Sequence, residues 1–134
     1  ENKMDIVQNL FKKMITFQRK YLDVDKFISE KTKFRPQLIH YPVGGGFFDW
    51  HQHTRFPTNY GLILNLSRRG EHFQHGSTEF KMDDGSIMNV EEYTNIGDLI
   101  MFRYDLIHRV TPCDPDSDLT FSNMGRWSAI VPIY

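Results

Sequence analysis

The sequence has one cysteine, almost no net charge and no long apolar run. A single cysteine, Cys113, excludes an internal disulfide and argues against a disulfide-built secreted scaffold. The formal net charge of −1 at pH 7 gives no electrostatic reason for nonspecific binding to nucleic acid or to an anionic membrane surface. No stretch reaches the apolar length of a membrane helix, and no signal peptide is visible. We therefore expect a cytoplasmic protein whose partner is a small molecule, with no nucleic acid and no membrane.

The composition is that of one globular domain. The 134 residues are 40% hydrophobic and 25% charged, which is ordinary globular usage and allows a core to be buried. We expect a single domain over residues 1–134, in which residues 1–33 give helical support and residues 34–134 form a β-barrel core. The chain begins with Glu1 rather than methionine, so a removed leader or an upstream domain stays open.

Apolar residues near the N terminus recur at steps of three and four within lysine-rich sequence. This spacing predicts one amphipathic helix that covers one face of a sheet. Residues 23–30 either continue the helix or begin a second short one. The apolar positions of the predicted helix are Ile6, Leu10, Phe11, Met14, Phe17 and Tyr21.

From residue 34 onward, short β-type segments alternate with turn signals. Residues 83–86 have the composition of a hairpin turn. About eight short antiparallel strands with a helix packed outside predict a mainly-β jelly-roll, or double-stranded β-helix, barrel. The predicted strands cover residues 37–41, 47–53, 60–66, 77–81, 87–90, 99–102, 109–112 and 126–133.

Three histidines in two places form a candidate metal site. His51 and His53 are two residues apart, so on a strand both would point to one face, and a distant strand would bring in His108. Such a facial set of ligands leaves the other positions on the metal open, as in non-haem Fe(II) oxygenases. Imidazole also suits zinc, copper and nickel, so the ligands alone do not select the metal.

Residues 38–132 resemble the Fe(II)/2-oxoglutarate dioxygenase superfamily, especially its prolyl-hydroxylase-like branch. The resemblance rests on the order of several separate motifs. These are a tyrosine, glycine turn and first iron histidine at residues 41–51, hairpin strands at 61–67 and 76–80, a turn, strand and distal histidine at 97–112, and the pair Arg126 and Ser128.

The resemblance implies Fe(II) and 2-oxoglutarate. Arg126 and Ser128 match the arginine-x-serine pair that holds the far carboxylate of 2-oxoglutarate, and Tyr41 is placed to donate to the same carboxylate. A guanidinium binds a carboxylate bidentately, and residues two apart on a strand share a face. The implied activity is that of an oxidoreductase, most often a hydroxylase, which uses O₂ and decarboxylates 2-oxoglutarate to succinate while it oxidises a small-molecule or amino-acid-like substrate.

One position departs from the family pattern. The family has an aspartate or glutamate two residues after the first histidine, and this chain has His53 there. We favour a three-histidine centre of His51, His53 and His108, because it keeps the family register. In a second interpretation Asp49, on the same strand face as His51, supplies a carboxylate. In a third, the site is weakened and the chemistry is lost.

Other interpretations of the same residues stay open. Three-histidine Fe(II) sites also serve cupin-type dioxygenases that do not use 2-oxoglutarate, and a binding domain on this barrel would keep the fold without the metal. The arginine at position 126 is also compatible with an ordinary ion pair. The arginines proposed as contacts for an acidic substrate are Arg55, Arg103 and Arg109.

Overall fold

One helix and eight strands make up the fold. The computed structural model describes residues 2–22, 24, 30, 32–55 and 58–134. Helix α1 spans Lys3–Tyr21 and precedes all the strands. The strands are β1 (Gln37–Val43), β2 (Gly46–His51), β3 (Tyr60–Asn65), β4 (Thr78–Lys81), β5 (Ile87–Asn89), β6 (Leu99–Arg103), β7 (His108–Cys113) and β8 (Thr120–Ile130).

The strands form two antiparallel sheets of four. The first has the order β1-β8-β3-β6 and the second has the order β2-β7-β4-β5. The predicted turn at residues 83–86 joins β4 to β5, and Gly85 adopts a φ of 85° there. The predicted mainly-β fold with an N-terminal helix is confirmed. Among the described residues, strand pairing does not close the two sheets into a barrel.

Strand β8 differs most from its predicted range. It covers residues 120–130 instead of 126–133. Pro42 of β1 lies opposite Gly125, whereas the next residue, Val43, lies opposite Thr120, so the intervening residues of β8 bulge out of the ladder. Gly125 adopts a φ of 119°, a conformation that glycine enters without steric cost. The polar residues before Gly125 therefore join the strand through a bulge that alternation alone does not predict.

Helix α1 packs on the outer face of the first sheet. Met14 contacts a buried cluster with Leu64, Ala129 and Val131. Gln18, the other buried residue of α1, donates from Nε2 to the Val131 carbonyl at 2.9 Å. Of the predicted continuation over residues 23–30, only residues 24 and 30 are described, so that prediction lies outside the described residues. No described helix is long and apolar enough to cross a membrane.

A second apolar cluster lies between the sheets. Phe80 of β4 and Phe102 of β6 are buried with Val90, and Ile63 and Ile100 pack against them. Adjacent residues of a strand point to opposite faces. The same strands therefore direct some side chains towards the helix and others into the space between the sheets. The interior positions near Phe80 and Phe102 are where the candidate site is found.

Candidate metal centre

The three predicted histidines lie together. The ligand nitrogens of His51, His53 and His108 are all within 4.8 Å of one another. His51 ends β2 and His108 begins β7, and the two residues are paired across these neighbouring strands. Three imidazoles at this separation can hold a metal ion.

Backbone carbonyls determine the tautomer of two of the rings. Nδ1 of His51 lies 2.8 Å from the carbonyl oxygen of Asp49, and Nδ1 of His108 lies 2.8 Å from that of Leu106. A carbonyl oxygen only accepts, so each Nδ1 carries the proton and, in a neutral ring, Nε2 keeps its lone pair. Metal-binding histidines commonly make this outer hydrogen bond, which orients the ring. Nε2 is therefore the atom of both residues that is left able to bind a metal ion.

His108 is the buried member of the cluster. It is 5% exposed, and the rings of Phe80 and Phe102 lie 5.5 and 4.9 Å from it, centre to centre. Burial lowers the pKa of His108 to about 4, partly offset by the hydrogen bond to Leu106 and reinforced by the other two histidines. The ring is accordingly neutral near pH 7, the state in which imidazole binds metals.

His53 reaches the cluster by a different route from the predicted one. The prediction placed it on one strand with His51, but β2 ends at His51. The backbone N–H of His53 donates to the Tyr104 carbonyl at 3.1 Å, and the two rings stack at 4.5 Å. Burial lowers the pKa of His53, and the neighbouring His51 lowers it further. The third histidine is therefore positioned by the turn between β6 and β7 and not by the alternation of side chains along β2.

Asp49, the alternative ligand, is not part of the cluster. Its exposed carboxylate accepts a hydrogen bond from the N–H of Trp50 at 2.7 Å. Its backbone carbonyl is the group that accepts from His51. In this structure Asp49 thus orients a histidine through its main chain and does not bring its carboxylate to the nitrogens.

The histidines line a cavity of about 350 Å³. None of the described residues that line it is Asp, Glu, Lys or Arg. The polar residues of the wall include Gln18, Gln37, Tyr41, Thr58, Thr78 and Ser128. Most of the remaining wall is apolar or aromatic and includes Ile39, Phe48, Ile63, Phe102, Val110 and Ile130.

Arg126 is buried and paired with a carboxylate. It is 1% exposed, and its Nε donates to Oε1 of Glu91 at 2.5 Å. Glu91 belongs to the 3₁₀ turn Val90–Glu92 after β5, and its side chain is 4% exposed. Two buried polar atoms, Nη2 of Arg126 itself and Oγ1 of Thr78, have no hydrogen-bond partner among the described residues. Arg126 therefore forms an ion pair, and its Nη2 can still donate a hydrogen bond to another acceptor.

Tyr41 and Ser128 line the cavity next to Arg126. Tyr41 lies opposite Arg126 in the β1–β8 ladder, and Ile39 lies opposite Ser128. The guanidinium carbon of Arg126 lies 5.8 Å from the centre of the Tyr41 ring. Burial raises the pKa of Tyr41, and the Arg126 charge offsets part of that rise. The phenol therefore keeps its proton near pH 7 and can donate a hydrogen bond.

The three arginines proposed for an acidic substrate are paired with carboxylates, and none of them lines the cavity. Arg109 also lies over the Trp50 ring at 4.4 Å. The shortest contact of each pair is Arg55–Asp105 at 4.0 Å, Arg103–Asp105 at 2.6 Å and Arg109–Glu79 at 2.8 Å. None of these three arginines is therefore an uncommitted cation at the cavity.

Four residues at the site were not singled out from the sequence: Gln18, Thr78, Glu91 and Tyr104. Gln18, Glu91 and Tyr104 each contact a residue that is distant along the chain, whereas the Thr78 hydroxyl has no hydrogen-bond partner among the described residues. Glu91 lies 35 residues from Arg126, and Gln18 lies 113 residues from Val131. No local motif marks such pairs, because the strand order brings them together.

Comparison with known proteins identifies no relative. No family model matches the chain, and neither a curated protein nor a solved structure matches it. Any function has to be inferred from the residues of the site.

Proposed function

We propose that this chain is an Fe(II)-dependent oxygenase that uses 2-oxoglutarate and O₂ to oxidise a small molecule by hydroxylation. The observation that carries the proposal is the histidine cluster at the cavity wall. His51 and His108 have their metal-binding nitrogens preset by backbone hydrogen bonds, and His53 is within reach of both. A three-residue set leaves coordination positions for a cosubstrate and oxygen.

The donor set fits Fe(II). Neutral imidazole nitrogens suit iron, and the low pKa of His108 keeps its ring unprotonated. Bound Fe(II) would supply the activation of O₂, and 2-oxoglutarate the electrons that this needs. The chain itself holds the ligands in place, and Phe80 and Phe102 shield His108 from water because their rings pack against it.

The polar wall beside Arg126 fits the far carboxylate of 2-oxoglutarate. The hydroxyls of Tyr41, Thr78 and Ser128 line the cavity there. Thr78 Oγ1 and Arg126 Nη2 lack hydrogen-bond partners among the residues that the structure describes, and a carboxylate would supply the missing acceptor. Glu91 would remain on Nε of Arg126, so the two carboxylates would share one guanidinium.

The strand order agrees with the proposal. Two sheets in the orders β1-β8-β3-β6 and β2-β7-β4-β5 are what an eight-stranded jelly roll, or double-stranded β-helix, would have. The histidines come from the second sheet and the segment that follows β2, whereas the arginine comes from the first sheet. A cosubstrate that touches both would lie between the sheets.

A second candidate is a three-histidine Fe(II) dioxygenase that does not use 2-oxoglutarate. The ion pair favours it, because Glu91 already neutralises the charge of Arg126. A cavity whose described lining lacks charged residues is also a poor host for a dianion. The two candidates share the metal and differ in the cosubstrate.

Anaerobic titration distinguishes the candidates. Fe(II) is added first, and binding is measured in the wild type and in His108→Ala. 2-Oxoglutarate is then added, and a weak visible metal-to-ligand band is expected from its chelation to ferrous iron. Succinate release in air is the second readout. Iron binding without the band or succinate supports the dioxygenase that lacks 2-oxoglutarate, and the absence of iron binding overturns both candidates.

A further inference from the structure

The cavity continues beyond the histidines to helix α1. Successive inward residues of β1, which are Gln37, Ile39 and Tyr41, all line it. At the Gln37 end the wall is completed by Gln18 of α1 and by the chain after β8. This half of the cavity lies away from Arg126, which is opposite Tyr41. It is therefore available to a molecule other than 2-oxoglutarate.

Gln18 gives this half of the cavity an unpaired hydrogen-bond acceptor. Its side chain lines the cavity and is 2% exposed. Nε2 must face the Val131 carbonyl, because a carbonyl accepts only from the N–H side of the amide. Oε1 is therefore the other amide atom, and it is buried without a hydrogen-bond partner in the part of the chain that the structure describes. Thr58 differs, since its hydroxyl is already bonded to the main chain of Tyr60.

The charge of the wall restricts what can occupy this space. The described lining has no acidic or basic side chain other than the histidines. A charged group placed there would lose its hydration without gaining a counter-ion, which is strongly unfavourable. An apolar body would instead contact the aliphatic and aromatic side chains that form most of the wall.

We propose that the substrate held in this half of the cavity is an uncharged, largely apolar molecule with one N–H or O–H group, which donates a hydrogen bond to Oε1 of Gln18. This inference rests on the proposed function, because the histidines act on an occupant of the same cavity. It specifies the substrate class: acidic and basic molecules are excluded, and a neutral donor is required.

Two matched probes test the inference on protein without added metal. Indole has one N–H donor on an apolar body, and 1-methylindole lacks that donor. We expect indole to bind about three- to tenfold more tightly than 1-methylindole, which corresponds to the net free energy of one hydrogen bond to a buried acceptor. Indole-3-acetate, which carries a charge, should bind more weakly than indole. Amide NMR titration gives the affinities and locates the bound probe.

Gln18→Met keeps the length of the side chain and removes the acceptor, so its ratio of indole to 1-methylindole affinity should fall to about one. Asn65→Met is the matched control, because Asn65 also has a buried unpaired side-chain oxygen but does not line the cavity. The ratio is insensitive to a general loss of stability in either variant. If Gln18→Met does not fold, the wild-type ratio still decides.

The inference is overturned by equal binding of indole and 1-methylindole to the wild type, by an unchanged ratio in Gln18→Met, or by no saturable binding of indole. None of these readouts involves iron or 2-oxoglutarate. Failure of the proposed function would appear instead as loss of the ferrous titration signals while the probe ratio stands.

Discussion

The histidine cluster at the cavity and the buried Arg126–Glu91 pair differ in whether their members already neutralise one another. The nitrogens of His51, His53 and His108 converge on one another, although all three are bases of the same kind. Arg126 and Glu91, by contrast, already pair a cation with an anion. Converging lone pairs can bind an external cation, whereas an ion pair can hold the fold together without a ligand. Burial alone therefore does not distinguish a binding cluster from a structural one.

The largest effect expected is on folding, from Glu91→Ala. Removing the carboxylate leaves the buried guanidinium of Arg126 without its counter-ion, which costs about 3–5 kcal/mol. Urea unfolding of the metal-free protein measures it. Glu79→Ala is the control, because the Glu79–Arg109 pair is partly exposed and should contribute about 1 kcal/mol or less. Equal losses in the two variants would contradict a special role for the buried pair.

The next effect is on metal binding, from His108→Ala. The variant loses the buried ligand whose Nε2 is preset by the Leu106 carbonyl, and Fe(II) affinity should fall by about 100-fold or more. Anaerobic titration measures the dissociation constant. His75→Ala, which removes an exposed histidine outside the cluster, should bind Fe(II) like the wild type. An unchanged Fe(II) affinity in His108→Ala would show that the histidine cluster is not the metal site.

A smaller effect is expected from Tyr104→Leu. The Tyr104 ring stacks on His53, and its loss should free that imidazole to turn while the backbone hydrogen bond remains. We expect a loss of about tenfold in Fe(II) affinity, as for other groups that orient a metal ligand. Tyr104→Phe keeps the ring and should bind like the wild type. If both variants lose affinity equally, the hydroxyl matters and the stacking does not.

The smallest effect is expected from Ser128→Ala. One hydroxyl beside Arg126 is lost, so the affinity of the Fe(II) form for 2-oxoglutarate should fall about three- to tenfold while Fe(II) affinity stays the same. Ser122→Ala on the same strand, outside the cavity lining, is the matched control. If 2-oxoglutarate binds Ser128→Ala and the wild type equally, its far carboxylate does not contact Ser128.

Much of the fold could be predicted because its signals are local. Strand β3 is buried on both faces and reads as an apolar run, and the turn at residues 83–86 carries the expected glycine. The bulge before Gly125 could not be predicted, since it depends on pairing with β1. Local patterns thus predicted the elements and missed the irregularity in the longest strand.

The members of the histidine cluster were predictable from the sequence, and its geometry was less so. His51 and His108 lie in paired strands, as two facing ligands require. The position of His53 depends on its contact with Tyr104, and the pairing of Arg126 depends on Glu91. Both are tertiary contacts without a sequence signature. Asp49 shows the same limit, because its carboxylate turns to the neighbouring N–H of Trp50.

The position of the histidines along the chain means that a bound metal ion would also affect the stability of the fold. The segment from His53 to His108 contains β3, β4, β5 and β6, which are half of the strands. An ion bound at both ends of this segment would act as a reversible cross-link around a long loop, in a chain that has no internal disulfide. Thermal stability would then follow free metal concentration, with about 2.7 kcal/mol gained at 100 times the dissociation constant.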